Sequence, residues 1–252
     1  MGGLVASILL RGINLVHVPT TLLAMVDSSI GGKTGVNHET GKNLIGTFYQ
    51  PQAVYIDINF LKTLNKRQLK TGMAEIIKYG IISDPEIITI LEQKDNYQNI
   101  KDSNLDKWEI LISRCVKIKA DIVSKDEKEN NLRMILNYGH TFGHAIETFT
   151  KYKKYTHGEA ISIGMCIAGY LAYKMNICNK ELYTRQKELL QSFGLPVELP
   201  SDIDISALMS IIKVDKKVRN NKIKLILPEE IGKVRIVNEV DENTIINLMK
   251  PS

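Results

Sequence analysis

Arg133-Met-Ile-Leu-Asn137-Tyr-Gly-His140-Thr-Phe-Gly-His144, followed by His157-Gly158-Glu159, holds three of the chain's five histidines. His140 and His144 are four residues apart, so a helix places them one turn from each other on one face. His157 opens the next apolar run with its glycine and glutamate, so the stretch reads as the meeting of two helices. Two imidazoles at that spacing suit a divalent metal, since neutral nitrogens bind zinc at about 2.0 to 2.1 Å. A third ligand is needed, and Glu75 in Gly72-Met73-Ala74-Glu75-Ile76-Ile77-Lys78-Tyr79 is the best-placed candidate. An ordinary intrahelical ion pair between Glu75 and Lys78 is the competing explanation. Satisfied core or surface imidazoles are the competing explanation for the histidines. Against that stands a glycine before His140, another before His144 and a third after His157, because glycine weakens a helix and its presence suggests close approach to the backbone.

The surrounding pattern is mainly helical, with runs at 66–82, 85–93, 104–127, 131–150, 158–177, 179–193 and 203–214. Asp84-Pro85 and Gly194-Leu-Pro196 punctuate boundaries. Lys222-Ile-Lys-Leu-Ile-Leu-Pro and Lys233-Val-Arg-Ile-Val predict a small hairpin before a last helix. Near the start, Ile13 to Val18 and Ala53 to Asp57 read as short buried strands, the remnant of an α/β layer. The expected architecture is an α/β portion over 1–58 and a mainly α-helical domain over 59–252, with the active site in the cleft between them.

A second constellation runs from Val18-Pro-Thr20-Thr21 through Asp27-Ser-Ser-Ile-Gly31-Gly32-Lys33-Thr34-Gly35 to Gly41-Lys42-Asn43. Its uncovered backbone N–H groups, lysine and hydroxyls suit phosphate oxygens. It is not a Walker loop, since the required earlier glycine is Asp27, which disfavours a GTPase or kinase. A surface turn rich in glycine and hydroxyls is the plainer alternative.

Together these elements resemble the 3-dehydroquinate synthase family. Its hallmarks stand as Arg11-Gly-Ile, Val18-Pro-Thr-Thr-Leu-Leu-Ala, Val26-Asp-Ser-Ser-Ile-Gly-Gly-Lys-Thr-Gly, Gly41-Lys-Asn-Leu-Ile-Gly-Thr-Phe and Gly72-Met-Ala-Glu-Ile-Ile-Lys. They continue as Lys117-Ile-Lys119-Ala, Asp126-Glu-Lys-Glu129, Asn137-Tyr-Gly-His-Thr-Phe-Gly-His, His157-Gly-Glu-Ala and Asp215-Lys-Lys. The ordered set is far more specific than any one element.

The resemblance implies conversion of 3-deoxy-D-arabino-heptulosonate 7-phosphate into 3-dehydroquinate and phosphate, in the shikimate pathway of aromatic amino acid biosynthesis. NAD transiently oxidises C5, phosphate is eliminated, C5 is reduced again, and an aldol step closes the carbocycle. It implies Glu75, His140 and His157 as ligands of zinc, with cobalt as the alternative metal. His144 is then a proton-handling group, although spacing alone equally permits a His140/His144 pair. Lys33, Asn43, Lys78, Lys119, Arg133, Asn137 and Lys216 or Lys217 match positions that grip phosphate and carboxylate, with Asp27 orienting a hydroxyl. Glu129 matches a carboxylate that takes part in proton transfer, and Asn130 stands where a glycine is usual but tolerates left-handed backbone angles. Thr20, Thr21, Lys42 and the Phe60 to Thr63 segment match positions that hold NAD. Arg11 resembles an arginine that reaches into a neighbouring subunit's site, implying a homodimer. Typical members carry a further stretch before the position of residue 1, with much of the cradle for the adenosine half of NAD. The expectation is accordingly a truncated chain: a fragment, a misassigned start or half of a split enzyme.

The 252 residues, with 44% apolar content and a net charge of +5, suffice for a sizeable core. Lysines are scattered without a basic stripe or aromatic interleaving, which disfavours nucleic-acid binding, whereas an anionic substrate needs only a local cluster. No run is long enough to cross a bilayer, and the apolar first ten residues lack a cationic n-region and an A-x-A-like site. Cys115, Cys166 and Cys178 lack paired metal spacing and read as buried thiols of a cytoplasmic protein. Three functions stay distinct: dehydroquinate synthase, another sugar-phosphate cyclase or polyol dehydrogenase of similar architecture, and a non-catalytic metal-binding or assembly partner.

Overall fold

The computed structural model describes residues 1–38, 41–93, 105–215 and 222–249. Its centre is α2 (Lys66–Ile82), whose residues from Thr71 to Ile82 are all buried. A helix apolar on nearly every side belongs inside a bundle, and neighbours surround this one. α2 starts where Asn65 Oδ1 accepts from Gln68 N at 2.9 Å. α3 (Pro85–Glu92), with Asp84 capping and Pro85 in its first turn, packs back on α2. α4 (Leu105–Lys125) buries Trp108, Leu111, Ile112 and Cys115.

The run at 131–150 is not one helix. A 3-10 turn spans Leu132–Asn137, Gly139 turns left-handed at φ 77°, and α5 begins at His140 and ends at Phe149. A side chain at Gly139 would meet Met165 Cγ at 2.5 Å, so this corner requires glycine both for its angle and for the closeness of α6 (His157–Lys174). α6 is buried along almost its whole length. α7 (Lys180–Ser192), α8 (Ile205–Asp215) and α9 (Glu242–Met249) follow the expected order. The predicted hairpin forms from the antiparallel strands Lys222–Glu230 and Lys233–Asp241, and Ile223, Leu225, Ile226 and Leu227 of the first strand are buried.

The first part of the chain is thinner. α1 (Gly2–Ile8) precedes β1 (Val16–His17), which pairs in parallel with a later strand, Ala53–Val54, through Val16↔Ala53 and His17↔Val54. Both strands are shorter than expected, and they are not buried: Val16 is 51% and Val18 55% exposed. Parallel strands are normally covered on both faces, and among the described residues this pair has no third strand. Between the two strands lies a short antiparallel hairpin, β2 (Val36–His38) with β3 (Gly41–Ile45), where the sequence predicted only a loop; Ala53–Val54 is β4, and the late hairpin is β5 and β6. Cys115 and Cys166 are buried, but Cys178 lies half-buried in the link between α6 and α7. Among the described residues no helix is long and apolar enough to cross a membrane.

Candidate functional site

Glu75 lies in the middle of α2, fully buried, while His140 and His157 are the first residues of α5 and α6. Two helix starts therefore converge on one helix centre. Glu75 Oε1 is 3.5 Å from His140 Nε2 and 3.3 Å from His157 Nε2. The other ring nitrogens are already engaged: His140 Nδ1 lies 3.0 Å from Tyr138 O and His157 Nδ1 lies 3.3 Å from Glu147 Oε1. With a proton on each Nδ1, the neutral rings turn their Nε2 lone pairs toward Glu75, the tautomer a metal ligand requires, and His157 reaches that form by losing its second proton. Neither Glu75 oxygen has a partner in hydrogen-bonding geometry, although Lys78 Nζ stands 2.5 Å from Oε2. A buried carboxylate left in this state, beside two oriented imidazoles, fits a divalent cation.

Two trios of donors lie within 4.8 Å of one another among the described residues: Glu75, His140 and His157, and His144, Glu147 and His157. Neither contains both His140 and His144. The first trio has the better orientation, because His157 turns Nδ1 to Glu147 and Nε2 to Glu75. Burial lowers the pKa of His140 to about 3. Burial also pulls on His157, but the carboxylates of Glu147 and Glu75 beside its two nitrogens prevail and raise it to about 9.

The glycines beside the histidines do mark close approach, of helices. A Cβ at Gly158 would lie 2.2 Å from Thr71 O on α2, and one at Gly143 would lie 2.6 Å from Ile161 Cδ1 on α6. His157 can stand beside Glu75 because Gly158 lets α6 touch the α2 backbone.

Behind the trio is a charge network of two buried lysines and the half-buried Asp27. Asp27, on a π-helical turn over Ala24–Ser28, has Lys119 Nζ at 2.8 Å and Lys78 Nζ at 3.8 Å from Oδ1, and accepts from the Tyr79 hydroxyl at 2.7 Å. Burial alone would raise its pKa, yet Lys119 and Lys78 hold the carboxyl well below the usual range. Lys78 therefore bridges the carboxylates of Glu75 and Asp27, so the intrahelical ion pair and the metal donor are one residue. Lys78 and Lys119 are both buried and do not line the open cleft.

The cleft, of about 520 Å³, is lined by Lys33, Asn43, Phe48, Glu129, Asn137, His140 and His144, among others. Lys33 Nζ pairs with Glu129, whose other oxygen accepts from Asn137 Nδ2. Glu129 itself takes the left-handed angle, φ 60°, at the turn where the sequence suggested Asn130. The reason lies in Asp126, whose carboxylate accepts from the N–H groups of Asn130, Asn131 and Arg133 at 2.9, 2.8 and 3.0 Å. These three bonds wrap the chain around Asp126 and displace the strained angle one residue earlier. Arg133 is buried and donates to Gly31 O at 2.8 Å and to Glu127 O, so it ties the glycine loop to the Glu129 loop. It is not among the residues lining the cleft.

Thr20 and Thr21 follow the carboxyl end of β1, and Phe60 and Thr63 follow that of β4. Loops after the carboxyl ends of parallel strands are where nucleotides bind in α/β layers, and these residues lie in such loops. Thr20 and Phe60 are exposed, while Thr21 Oγ1 accepts from Ala24 N at 3.2 Å. The Lys42 side chain and all of Lys216 and Lys217 lie outside the described residues. Arg11 is exposed, at φ 66°. Sequence reasoning missed Glu147, although its three-residue spacing from His144 places it on the same helix face. It also left unused Thr156-x-x-Glu159, a capping box that forms at the start of α6.

Solved structures share this fold. The chain resembles 2-epi-5-epi-valiolone synthase from Streptomyces hygroscopicus subsp. jinggangensis, with NAD+ and Zn2+ bound, at TM-score 0.89 and 29% identity, over 98% of this chain and 68% of that one. It resembles 2-deoxy-scyllo-inosose synthase complexed with carbaglucose-6-phosphate, NAD+ and Co2+ at TM-score 0.86 and 32% identity, with the same coverage. The class is that of metal- and NAD-dependent lyases. Residues 1–71 match the family model for the 3-dehydroquinate synthase N-terminal region and residues 72–218 that for its C-terminal region. The chain belongs to the 3-dehydroquinate synthase family. The Dictyoglomus turgidum 3-dehydroquinate synthase is 52% identical over 98% of this chain, and the Nostoc punctiforme one 49% identical over 99%. The chain spans 69% of the length of each of these two relatives.

Proposed function

We propose that the cleft converts 3-deoxy-D-arabino-heptulosonate 7-phosphate into 3-dehydroquinate and inorganic phosphate. The observation that carries the reading is the fully buried Glu75 carboxylate, without a hydrogen bond and faced by the Nε2 atoms of His140 and His157, beside a cleft that His140 lines together with Lys33, Asn43 and Asn137. Glu75, His140 and His157 would hold zinc or cobalt, and Thr20, Thr21, Lys42, Phe60 and Thr63 would hold NAD. When bound, the metal supplies Lewis acidity at a substrate oxygen, and NAD takes up a hydride and returns it.

The chain's own groups account for the rest. Lys33 and Asn43 offer a point charge and an amide to the substrate's phosphate or carboxylate, with Asn137 beside them. Lys78 and Lys119 balance the two carboxylates of Asp27 and Glu75 and hold the Glu75 carboxylate still. Arg133 acts by fixing the loop that carries Lys33. Glu129, linked to both Lys33 and Asn137, and His144, whose ring centre lies 5.3 Å from that of His140, would move protons over the bound sugar. A homodimer, with Arg11 directed toward a neighbouring copy, belongs to the same reading and to a cytoplasmic biosynthetic enzyme.

Phosphate release by the purified chain, supplied with zinc and NAD, tests the reaction. Release that disappears in Glu75→Ala is expected, and no release from a zinc-loaded, NAD-saturated chain overturns it. The likeness to 2-deoxy-scyllo-inosose synthase supports a second reading, a cyclase for another sugar phosphate. Turnover of a hexose 6-phosphate in preference to the heptulosonate would favour it.

A further inference from the structure

Outside the cleft, a set of polar contacts fastens the start of α6 to the first turns of α2. Arg67 Nε and Nη2 donate to Glu159 Oε1 and Oε2 at 2.9 and 2.7 Å, and Nη2 also donates to Lys154 O at 2.8 Å. Glu159 Oε2 in turn accepts from Thr156 N at 2.8 Å, and Thr71 Oγ1 lies 2.8 Å from Thr156 Oγ1. One guanidinium thus grips both the residue that precedes the turn into α6 and the glutamate that caps it. Gly158 lies between, pressed on the Thr71 backbone.

The position of this fastening is its significance. Arg67 and Glu75 are on the same rigid helix, and His157 is one residue from Thr156 and two from Glu159. Whatever sets the distance from the first turn of α2 to the first turn of α6 therefore also sets the distance from Glu75 Oε1 to His157 Nε2. An ion pair this exposed adds little to folding in general. Metal coordination, however, tolerates shifts of only about 0.2 Å, so a contact of small energetic weight can have a large effect on ligand spacing.

We propose that Arg67 and Glu159 are positioning residues that hold His157 at coordinating distance from Glu75, a role that rests on the metal reading above. The bidentate geometry specifies arginine, because lysine offers one point charge and cannot grip both carboxylate oxygens and the Lys154 carbonyl together. Glutamate is specified by two demands at once, the cap of α6 and the fork of Arg67.

The test is the zinc affinity of the purified chain, read by competition with a chromophoric chelator, beside the Tm of each metal-free protein. The variants are Arg67→Ala, Arg67→Lys, Glu159→Gln and the double Arg67→Ala/Glu159→Gln. Asn179→Ala is the control, because Asn179 Oδ1 caps α7 by accepting from Leu182 N at 2.9 Å, away from the site. The zinc Kd is expected to rise about tenfold or more in Arg67→Ala and Glu159→Gln, as for other groups that orient metal ligands. Arg67→Lys should fall between, and the double variant should be scarcely weaker than either single one, since both remove one interaction. Asn179→Ala should lose Tm and keep its zinc affinity. Unchanged affinity in Arg67→Ala and Glu159→Gln, or a loss no larger than in Asn179→Ala, overturns the proposal. Glu75→Ala separates the two readings: if it binds zinc like the parent, the metal assignment fails and takes the positioning role with it. If Glu75→Ala loses zinc while the Arg67 and Glu159 variants keep it, only the positioning role fails.

Discussion

Glu147 Oε1 lies 3.3 Å from His157 Nδ1, and this contact turns the opposite nitrogen toward Glu75. A carboxylate behind a metal-bound imidazole fixes its tautomer and raises its basicity. Glu147→Gln keeps an acceptor but loses the charge, whereas Glu147→Ala loses both. Zinc Kd should therefore rise modestly in the first and by about 10- to 100-fold in the second. Equal affinities across the series would remove Glu147 from the metal centre.

Glu75→Ala and His157→Ala should each lose zinc and turnover together, while His144→Ala should keep the metal and lose turnover. Metal content by atomic emission, measured beside phosphate release, distinguishes these outcomes. Stoichiometric zinc in His157→Ala would sink the ligand assignment.

Zinc binding should displace a proton at neutral pH. Burial pulls His157 down, but Glu147 and Glu75 raise it to about 9, so the metal-free imidazole is protonated at pH 7. His140, lowered to about 3 by burial, is already neutral. Zinc affinity should consequently climb with pH and level off above about 9. In the metal-free chain, the His157 contribution to stability is complete below its unfolded value of 6.5 and is lost as pH rises through about 9. The His140 contribution has the opposite sign, because the unfolded imidazole takes up a proton that the fold refuses as pH falls from 6.5 toward about 3. Calorimetry in buffers of different ionisation enthalpy counts the released proton, and none released at pH 7 contradicts the assignment.

Lys78→Met should destabilise the metal-free chain by about 3 kcal/mol, because the fully buried carboxylate of Glu75 and the half-buried one of Asp27 lose a shared cation. Zinc should recover part of that loss by supplying positive charge beside Glu75. Thermal unfolding with and without zinc measures both. An unchanged Tm would mean that Lys78 does not balance these charges.

Gly158→Ala places a methyl group 2.2 Å from Thr71 O, a backbone atom that cannot swing aside. Moving α6 away should cost about 1 to 3 kcal/mol and weaken zinc binding as well. A variant with parental Tm and zinc affinity would show that the helices can separate without cost.

Much of the helical fold was legible because its signals are local. The apolar period over 66–82 and the Asp84-Pro85 boundary coincide with α2 and α3 to within a residue, since a cap and a proline act on their immediate neighbours. The break at Gly139 was not legible: Met134, Ile135 and Leu136 continue a helical pattern, and the left-handed turn answers to Met165 on α6, which is remote in sequence. The exposure of Val16 and Val18 escaped notice for a related reason, since an apolar strand looks the same in sequence whether or not anything covers it.

By itself the sequence determined the family and the helical order, and it offered Glu75, His140, His144 and His157 as candidate ligands, of which the trio Glu75, His140 and His157 came only from the family resemblance. It could not decide which histidines act together, because helical spacing favours His140 with His144 as strongly as any other pair. Only the tertiary structure decided that the starts of α5 and α6 meet the middle of α2. Helix ends brought together by packing follow side-chain volumes and glycine contacts distant in the chain, not the period within one helix. The same holds for Lys78 and Lys119. Their charges were plain in the sequence, but that they are committed to Glu75 and Asp27 depends on burial, which only the packed fold creates.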